Sequence, residues 1–470
     1  MMQANVREVV EWSGAEGTHG LADEDGLLLS GVSTDTRNIT SGQLFVPLRG
    51  ERFDGHDYIQ TAKDAGAAAT LWDSSVPLPD IDLPFILVTN TEVALQALSA
   101  GYLKNKLTAK VVAITGSNGK TTTKDMIFSV LSTTYRVHKT EGNYNNHIGL
   151  PLTILSAPKD TEVLVLEMGM SGKGEIALLT TLAKPDIAVI TNIGEAHLLQ
   201  LGTRRNIARA KLEITDGLKS GGALVYYGDE PLIAEQLAAT GLDKQFEIVT
   251  FGEQPDCDWI ARYIRVNADR TQFTVMGTGN TEIQVELPIA GRHNAINALA
   301  AVAVGHQFNL SFEVICEGLK FTKLTGMRIE QSKANNGAII FNDAYNASPS
   351  SVKAAINLVA ELSGYRRKWI VLGDMLELGE DEIALHGEIG RYLDDTKVDN
   401  VLIYGSLSNE TYQEAKMNFP DGCVQHFDDK AALAHYLLAQ LASEDLVLVK
   451  ASRGMRLEEL VTILQKGVRG

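Results

Sequence analysis

The stretch VVAITGSNGKTTTK at residues 111–124 constrains the fold of this chain more strongly than any other part of the sequence. Residues 111–114 form an apolar, largely β-branched run that predicts a buried strand, and apolar residues recur at helical spacing over residues 126–131. Gly116 and Gly119 lie between these two elements, where they allow a sharp turn that exposes backbone N–H groups. Because a helix N-terminus adds partial positive charge, the pattern predicts a site for nucleotide phosphates.

The predicted phosphate site departs from the common phosphate loop in one respect. Only Ser117 and Asn118 separate its two glycines, whereas the common loop has four residues there. Lys120 is placed to reach the outer phosphates, and Thr121 can offer its hydroxyl to Mg²⁺. The plain structural alternative is a strand-to-helix turn with an incidental lysine. The residues that we expect to contact the nucleotide phosphates are Gly116, Ser117, Asn118, Gly119, Lys120, Thr121 and Thr122.

The composition bounds the class of protein. The chain has 470 residues, too many for one core, and its formal charge is −17. So negative a surface argues against nucleic acid or an anionic membrane as the main partner. The N-terminal residues lack a signal-peptide pattern and no apolar run is long enough to span a bilayer, so we expect a cytoplasmic protein. Cys257, Cys316 and Cys423 are widely spaced, which indicates reduced thiols rather than a disulfide framework or a metal cluster.

Strand-like and helix-like segments alternate along nearly the whole chain, which predicts an α/β fold with parallel sheets. A polar connector at residues 104–108 and the end of a helical stretch near Thr325 and Gly326 predict two domain boundaries. The three expected domains are residues 1–105, 106–325 and 326–470. The predicted strands are 44–48, 68–72, 85–88, 163–166, 187–190, 338–341, 369–372, 401–404 and 446–449, and the predicted helices are 56–65, 93–103 and 294–306.

Polar residues follow two of the predicted strands in the middle domain. Glu167 ends the strand at 163–166, and His197 follows the strand at 187–190. Ligands of parallel sheets bind beyond the carboxyl ends of the strands, so we expect both side chains to face the same crevice as Thr121. Together the three would form a Mg²⁺ shell, in which histidine is a less usual ligand than oxygen. The structural alternatives are helix capping by the carboxylate and a structural hydrogen bond by the histidine.

Several separate motifs, in order along the chain, resemble those of the Mur ligases of peptidoglycan synthesis. They are TGSNGKTTTK at 115–124, LEMG at 166–169, TNIGEAH at 191–197, AKLEI at 210–214 and GRHNAINALAA at 291–301. Members of this family are ATP-dependent, amide-forming enzymes with three domains. Other motifs resemble those of the members that add D-alanyl-D-alanine to UDP-N-acetylmuramoyl-tripeptide. These are STDTR at 33–37, LFVPLRGERFDGHDYI at 44–59, TEGNYNNHIGLPLTIL at 140–155, NDAYNASPSS at 342–351 and LGDMLELGE at 372–380.

The resemblance implies roles for the nucleotide and metal residues. Lys211 resembles a lysine that family members carry as a carbamate for a second Mg²⁺, because an ordinary ammonium would repel a metal ion. Without the resemblance, Lys211 would be taken for a surface lysine. Asn294 and Asn297 share one helical face and resemble residues that hold the adenine, with helix capping as the alternative for Asn294. Arg328 resembles an arginine of the third domain that reaches ATP. The implied metal ligands are Thr121, Glu167, His197 and Lys211, and the implied catalytic residues are Lys120, Lys211 and His197.

The resemblance also implies an N-terminal α/β domain for the UDP-substrate, a central P-loop ATPase domain and a C-terminal Rossmann-like domain for the dipeptide. The implied UDP-substrate residues are Ser33, Asp35, Arg37, Asn143, Asn145 and Asn146, together with the segment 49–56. The implied dipeptide residues are Asp343, Tyr345, Asn346 and Ser350. The alternatives are a polar surface loop for the asparagines and a helix-initiating turn for residues 348–350. Ala451 stands where the family usually has glycine, so we expect a local difference around Lys450 and Arg453.

The implied reaction has two steps. The γ-phosphoryl group of ATP passes to a substrate carboxylate, and the dipeptide amine then attacks the acyl phosphate. Lys120 and the metal ions would stabilise charge on the phosphoryl oxygens. The base that deprotonates the amine is not assigned. We expect the domains to close during the reaction and to exclude water from the acyl phosphate. We also expect a monomeric protein.

Two other classes of function stay open. A sister amide ligase that adds another amino acid, or a folylpolyglutamate synthase, would share the phosphate loop. The STDTR and DGHDYI segments favour a separate UDP-substrate domain, which a folate ligase lacks. A nucleotide-dependent switch or binding protein needs only the loop. Glu167, His197 and Lys211 argue against it, because a binding protein does not need two metal ions.

Overall fold

The computed structural model describes residues 1–21, 26–277 and 281–467. Contacts divide the chain into two compact units. The first unit comprises Met1–Thr115, Thr134–Val189 and Glu213–Leu224, and the second comprises Gly116–Thr133, Ile190–Leu212 and Val225–Gly470. Both units combine strands with helices, which confirms the predicted α/β class. The predicted domain boundaries after residues 105 and 325 stay predictions.

The first unit begins with a five-stranded sheet and a separate two-stranded one. The strands of the larger sheet are β2 (Gly17–His19), β4 (Val32–Ser33), β5 (Leu44–Phe45), β6 (Ala69–Asp73) and β7 (Phe85–Val88), in the order β2-β7-β6-β5-β4. Strands β1 (Gln3–Asn5) and β3 (Leu28–Ser30) pair antiparallel. The helices are α1 (Val6–Ser13), α2 (Ile59–Asp64) and α3 (Thr91–Asn105). Strands β4 to β7 are parallel, whereas β2 is antiparallel to β7.

Three predicted elements of this region differ in length from those observed. The helix predicted at 56–65 is observed as a 3₁₀ turn at Gly55–Tyr58 followed by α2 (Ile59–Asp64), and the positive φ of Gly66 follows its end. The strand predicted at 44–48 ends at Phe45, because Pro47 has no N–H group with which to continue a ladder. The helix predicted at 93–103 is longer at both ends. It begins earlier because the Asn90 side chain accepts hydrogen bonds from the first N–H groups of α3.

The first unit also contains the strands that lead to the predicted nucleotide site. They are β8 (Lys110–Thr115), β9 (Val137–Lys139), β10 (Val163–Glu167) and β11 (Ile187–Ile190), accompanied by α5 (Gly149–Ser156) and α6 (Glu175–Ala183). Strand β10 pairs in parallel with both β8 and β9, as predicted for this part of the chain. The side chains of residues 111–114 are at most 1 % exposed, so the apolar run is a buried strand as expected. The carboxyl ends of these parallel strands bear the polar motifs.

The second unit contains the helix that follows the phosphate loop and a set of strands that was not predicted. The helices are α4 (Lys120–Leu131), α7 (Leu198–Leu201), α8 (Arg204–Leu212), α9 (Pro231–Thr240), α10 (Arg292–Gln307) and α11 (Phe312–Lys320). The strands are β12 (Ala223–Tyr227), β13 (Glu247–Gly252), β14 (Trp259–Val266), β15 (Thr271–Gly277) and β16 (Thr281–Leu287). Strands β14, β15 and β16 are antiparallel, which departs from the expected alternation of parallel strands and helices.

The end of the second unit is a six-stranded sheet with helices on both faces. Its strands are β17 (Glu330–Lys333), β18 (Ile339–Asp343), β19 (Lys368–Gly373), β20 (Asn400–Tyr404), β21 (Val424–Phe427) and β22 (Leu446–Lys450), in the order β17-β18-β22-β19-β20-β21. The helices are α12 (Pro349–Glu361), α13 (Glu382–Tyr392), α14 (Asn409–Ala415), α15 (Lys430–Gln440) and α16 (Glu458–Lys466). Only β17 is antiparallel to its neighbour.

The strands of this sheet could be predicted because both of their faces are buried. Consecutive residues Ile340 and Phe341 pack into two different apolar clusters, one on each face. Strands buried on both faces are continuous apolar runs, which the sequence pattern shows directly. Among the residues that the structure describes, no helix has both the length and the apolarity needed to cross a bilayer.

Candidate active site

The phosphate loop has the predicted position between β8 and α4, at residues 116–119. Gly116 has φ +150°, and a Cβ atom there would lie 1.8 Å from Thr191 Oγ1. Gly119 has φ +78°, and a Cβ atom there would lie 2.6 Å from Asn297 Oδ1. The loop therefore requires glycine at both positions, for its backbone conformation and for space.

Two residues directly after β11 hold the backbone of the loop. The Asn192 carbonyl accepts a hydrogen bond from Ser117 N–H (3.1 Å), and Asn192 Oδ1 accepts one from Asn118 N–H (2.9 Å). Thr191 Oγ1 (2.5 Å) and Asn192 Nδ2 (3.0 Å) both donate to the Asn118 carbonyl. No role was predicted for Thr191 or Asn192. Their position at a strand end that faces a ligand crevice was the available signal.

Lys120 lies over the loop, where its Nζ donates to the carbonyls of Gly116 (2.7 Å) and Ser117 (3.4 Å). Nine buried side-chain polar atoms in the described part of the chain have no hydrogen-bond partner there. Four of them belong to the loop, to the motif after β11 and to Arg328: Ser117 Oγ, Glu195 Oε2, His197 Nδ1 and Arg328 Nε. Because buried polar atoms normally have partners, this concentration indicates a site for a polar ligand.

Lys211 is buried and His197 is half-buried, and the charge of Lys120 acts on both. Burial lowers the pKa of Lys211 well below its ordinary value, and the Lys120 charge adds to this effect. Burial also lowers the pKa of His197 to about 4, with further contributions from Lys120 and Lys211. Lys211 is 1 % exposed, so it is not the surface lysine that the sequence alone suggests. The structure thus places Lys120 and Lys211 close enough to His197 to lower its pKa, and Lys120 close enough to Lys211 to do the same there.

Arg328 lies in the connector between α11 and β17. Its Nη2 donates to Thr121 Oγ1 (2.9 Å), and its guanidinium carbon lies 4.3 Å from the centre of the Tyr345 ring. The flanking Met327 (φ 61°) and Ile329 (φ 52°) both adopt the left-handed conformation, which is unusual for residues other than glycine. The connector therefore holds Arg328 against the phosphate loop at some cost in backbone energy.

The two asparagines predicted for adenine lie near the start of α10. Asn294 is 2 % exposed, and its Nδ2 donates to the Ala290 carbonyl (2.8 Å). The N-cap of α10 is Gly291, so the alternative role of Asn294 as the helix cap is not observed. Asn297 is 8 % exposed and lies next to Gly119 of the loop. Contact of either residue with adenine stays a prediction.

Glu167 belongs to the first unit and ends β10, as predicted. It is 3 % exposed, and its Oε1 accepts a hydrogen bond from Asn145 Nδ2 (2.9 Å). No group of three or more His, Cys, Asp or Glu side chains within residues 1–21, 26–277 and 281–467 is arranged to hold a metal ion. The predicted Mg²⁺ shell combines a hydroxyl, a carboxylate, an imidazole and an amine, and it stays a prediction. Its two oxygen donors are of the type that Mg²⁺ prefers, and His197 Nδ1 makes no hydrogen bond, although it lies 3.5 Å from Glu377 Oε2.

The predicted UDP-substrate residues lie in two stretches of the first unit, and local hydrogen bonds order both. Arg37 Nε (2.9 Å) and Nη2 (2.7 Å) donate to the Asp35 carboxylate, which lowers the pKa of Asp35 to about 2. Ser33 Oγ donates to the Asp35 carbonyl (3.0 Å). Asn146 Oδ1 caps α5 by accepting from its first N–H group (2.8 Å), and Asn143 is exposed. A substrate role for these residues stays a prediction.

The neighbouring segment 49–56 forms a charged cluster. Arg49 Nε lies 3.1 Å from Asp54 Oδ2, and Arg49 Nη1 lies 2.9 Å from Asp73 Oδ2. The buried His56 ring places Nδ1 2.5 Å from Asp54 Oδ1. Burial by itself would raise the pKa of Asp54, but hydrogen bonds from His56 and Arg49 outweigh it and lower the pKa to about 2.

The predicted dipeptide residues share one segment, 343–350, which joins β18 to the first turn of α12. Lys450 is 3 % exposed, and its Nζ contacts Asp343 Oδ2 (2.5 Å) and donates to the Asn346 carbonyl (3.0 Å). Ser348 is the N-cap of α12 and a proline follows it, so the predicted helix-initiating turn is observed. The segment is therefore both a helix start and a group of polar residues anchored to the sheet.

The Asn118 side chain contacts the 343–350 segment at the N-terminus of α12. Asn118 Oδ1 accepts a hydrogen bond from Ser348 Oγ (3.1 Å), and Asn118 Nδ2 donates to Ser350 Oγ (3.0 Å). The first of these bonds joins residues 230 positions apart in the sequence, and no local pattern predicts it.

Ala451 is accommodated without strain. It is fully buried and does not have a positive φ, so the position does not require glycine. Gly373 provides the space, because a Cβ atom there would lie 2.8 Å from Ala451 Cβ. The backbone difference that we expected near Lys450 is therefore not needed.

Comparison with known proteins assigns the family. Three family models match in sequence order: "Mur ligase family, catalytic domain" at residues 28–103, "Mur ligase middle domain" at 114–305 and "Mur ligase, glutamate ligase domain" at 327–453. The UDP-N-acetylmuramoyl-tripeptide–D-alanyl-D-alanine ligase of Bacillus subtilis is 48 % identical over 461 residues, which is 98 % of each chain.

Solved structures agree with this assignment. The crystal structure of MurF from Acinetobacter baumannii has a TM-score of 0.90, with 29 % identity over 99 % of each chain. The MurF ligase from Thermotoga maritima, solved in complex with ADP, has a TM-score of 0.81, with 30 % identity over 93 % of this chain and 97 % of that one. The predicted resemblance and three-domain α/β fold are confirmed, and this chain belongs to the Mur ligase family.

Proposed function

We propose that this chain joins D-alanyl-D-alanine to UDP-N-acetylmuramoyl-tripeptide in an ATP-dependent, ADP-forming reaction of peptidoglycan precursor synthesis. The observation that carries the proposal is the phosphate loop, beside which Lys120, His197 and the buried Lys211 lie together. Identity of 48 % to a relative with this named activity, over nearly the whole chain, identifies the substrates. A protein that only binds nucleotide has no need of a buried lysine in addition to Lys120 beside its loop.

The reaction begins with activation of the substrate, because a carboxylate is a poor electrophile. A carboxylate oxygen of the tripeptide attacks the γ-phosphorus of ATP, so that ADP leaves and an acyl phosphate forms. The N–H groups of the loop bind and orient the phosphates, and Lys120 neutralises charge on the transferred group. Arg328, whose Nη2 donates to Thr121 Oγ1, lies close enough to the loop to contact a phosphate of ATP.

Amide formation completes the reaction. The dipeptide amine, after losing a proton, attacks the acyl carbon, and phosphate leaves from the tetrahedral intermediate. The 343–350 segment is the proposed dipeptide pocket, and the Ser33–Arg37 and Asn143–Asn146 stretches are proposed to bind the UDP-substrate. We propose that the protein works as a monomer in the cytoplasm.

The proposed metal site combines Thr121, Glu167 and His197, with Lys211 as a carbamate that supplies an oxygen ligand. Mg²⁺ bound there would neutralise charge on the phosphoryl oxygens. The burial of Lys211 supports the carbamate, because an amine reacts with CO₂ in its neutral form and then loses a proton. Intact-protein mass spectrometry in bicarbonate buffer tests this: the wild-type protein should gain the mass of one CO₂, and Lys211→Arg should not.

The test of the function is ADP release from Mg-ATP with UDP-N-acetylmuramoyl-tripeptide and D-alanyl-D-alanine, each omitted in turn, with mass spectrometry of the product. Turnover that requires all three, with a UDP-muramoyl-pentapeptide product, is the expected result. ADP release that requires a single amino acid or glutamate instead of the dipeptide would assign the chain to a sister ligase or a folate ligase. Nucleotide binding with no ADP release under any combination would assign it to the binding proteins.

A further inference from the structure

We propose that Asn118 is a positioning residue that couples the phosphate loop to the 343–350 segment, so that the incoming amine is held at the activated carbonyl. The inference rests on the proposed function, and it assigns to this loop residue a task separate from phosphate binding. It also gives Ser348 and Ser350 a role beyond starting α12.

The first argument is that the backbone and the side chain of Asn118 have different partners. Its backbone N–H and carbonyl are already engaged by Asn192 and Thr191, which fix the loop. Its side chain is thereby directed away from the strand ends and contacts the two serines of the 343–350 segment. The amide accepts from the Ser348 hydroxyl and donates to the Ser350 hydroxyl, so it joins the loop to both serines.

The second argument is that the segment is fixed at its other end. Lys450 holds Asp343 and the Asn346 carbonyl to the end of β22, so the segment cannot shift independently of the sheet. Tyr345 stacks on Arg328, whose Nη2 donates to the loop residue Thr121. The loop and the segment are therefore joined at two separate points, of which the Asn118 contact lies at the helix N-terminus.

The third argument is the space around the contact. A Cβ atom at Gly194 would lie 3.2 Å from Ser350 Oγ and 3.3 Å from Asn118 Nδ2. Gly194 does not have a positive φ, so its backbone conformation does not require glycine. The absence of a side chain at this position instead lets the loop and the segment approach each other.

The chemical consequence follows from geometry. An acyl phosphate that forms at the loop reacts either with the dipeptide amine, giving the amide, or with water, giving carboxylate and phosphate. An amine that is held at the acyl carbon reacts faster than water, because correct placement of the two reactants replaces a bimolecular encounter. Loosening the Asn118 contact should therefore release more ADP per amide formed and raise the KM for D-alanyl-D-alanine.

The test compares Asn118→Ala, Ser350→Ala and the double variant with the wild-type protein. Asn118→Ala removes the side-chain bonds to both serines, whereas Ser350→Ala removes only the bond from Asn118 Nδ2 to Ser350 Oγ. We expect each single variant to raise the KM for the dipeptide by roughly tenfold, the effect of about one hydrogen bond, and to lower the ratio of amide to ADP. The double variant should be little worse than Asn118→Ala, because that substitution already removes the bond to Ser350.

Gly194→Ala supplies an independent disturbance that leaves both partners in place, and it should lower the same ratio. Ser363→Ala, an exposed serine after the other end of α12, is the matched control and should leave the ratio unchanged. Melting temperatures identify variants that simply fail to fold. The inference is wrong if a variant loses acyl phosphate formation and dipeptide capture equally, or if the effects add in the double variant. Neither outcome contradicts the proposed function, provided that the wild-type protein forms the amide.

Hydrogen exchange gives a readout that does not depend on the proposed substrates. Amides of residues 343–352 should exchange faster in Asn118→Ala than in the wild-type protein, and those of α16 should not. Unchanged exchange in this segment contradicts the coupling even if the chain proves to use a different substrate. Faster exchange with normal capture of the dipeptide shows a structural contact only, and it also overturns the positioning role.

Discussion

The phosphate loop depends on the absence of a side chain at Gly116. Alanine at this φ of +150° with a neighbour at 1.8 Å would displace Thr191, whose hydroxyl holds the loop. We expect Gly116→Ala to strain the loop by about 1–3 kcal/mol, which is roughly 5- to 150-fold weaker ADP binding in calorimetry. The control is Gly172→Ala, because the nearest atom to its Cβ beyond the adjacent residues would be Glu175 Oε1, at 3.3 Å on a flexible side chain, and its φ is not positive. Equal binding by both variants would contradict this view of the loop.

The carboxylate of Asp54 gives the first unit a defined response to acid. Its pKa of about 2 in the folded protein is below the unfolded value of about 3.9, so its stabilisation is complete above pH ~4 and lost as the pH falls through 2. The side chain is 36 % exposed, and solvent screening reduces the contribution to about 1 kcal/mol. Asp54→Asn should therefore flatten the decline of unfolding free energy between pH 4 and pH 2 in urea titrations. A parallel decline in both proteins would show that the cluster with His56 and Arg49 does not stabilise the folded state.

Helix α11 packs so closely on α4 that one of its glycines is needed for space. A Cβ atom at Gly318 would lie 2.5 Å from Val130 Cα, which is backbone and cannot rotate away. Glycine to alanine in a helix ordinarily stabilises by up to about 1 kcal/mol, but here we expect Gly318→Ala to destabilise by about 1–3 kcal/mol. The matched control is Gly387→Ala in α13, where the nearest atoms belong to the flexible Arg391 and Glu410 side chains. Opposite shifts in the urea midpoint are the expected result, and shifts of the same sign would contradict the packing argument.

Elements buried on both faces were the predictable ones. The strand at 85–88 and those at 369–372 and 446–449 are continuous apolar runs, and each is observed within one residue of its predicted bounds. Strands β14 to β16 were missed because the predicted strands were continuous apolar runs, whereas β16 alternates polar and apolar residues along TEIQVEL, with the apolar positions less exposed. Strands that are buried on both faces could thus be predicted from the sequence, and strands that are buried on one face only were missed.

At the scale of the molecule, the sequence showed which residues gather at the loop but not how they are joined. Lys120 and Thr121 could be placed because strand, loop and helix are adjacent in sequence. The bonds from Asn118 to Ser348 and from Arg328 to Thr121 span more than 200 positions. Such contacts depend on tertiary packing, which no local periodicity encodes. The left-handed backbone at Met327 and Ile329 was equally invisible, since neither residue type favours it.

The division into two units predicts that nucleotide chemistry and UDP-substrate binding can be separated by substitution. Lys120 lies in the second unit, whereas every proposed UDP-substrate residue, including Arg37, lies in the first. Lys120→Ala should lower kcat by about 100-fold or more, the usual effect of losing a charge that stabilises a transition state. The same variant should bind the UDP-substrate with unchanged affinity in calorimetry.

Arg37→Ala is the reciprocal variant. It should weaken UDP-substrate binding by about tenfold, through loss of a bidentate cation, while ADP affinity stays the same. The Asp35 carboxylate, which now pairs with Arg37, would then be left without that partner and would repel a pyrophosphate. Asp35→Asn in the Arg37→Ala background should therefore recover part of the lost affinity. If Lys120→Ala instead abolishes UDP-substrate binding and retains turnover, the assignment of tasks to the two units is reversed.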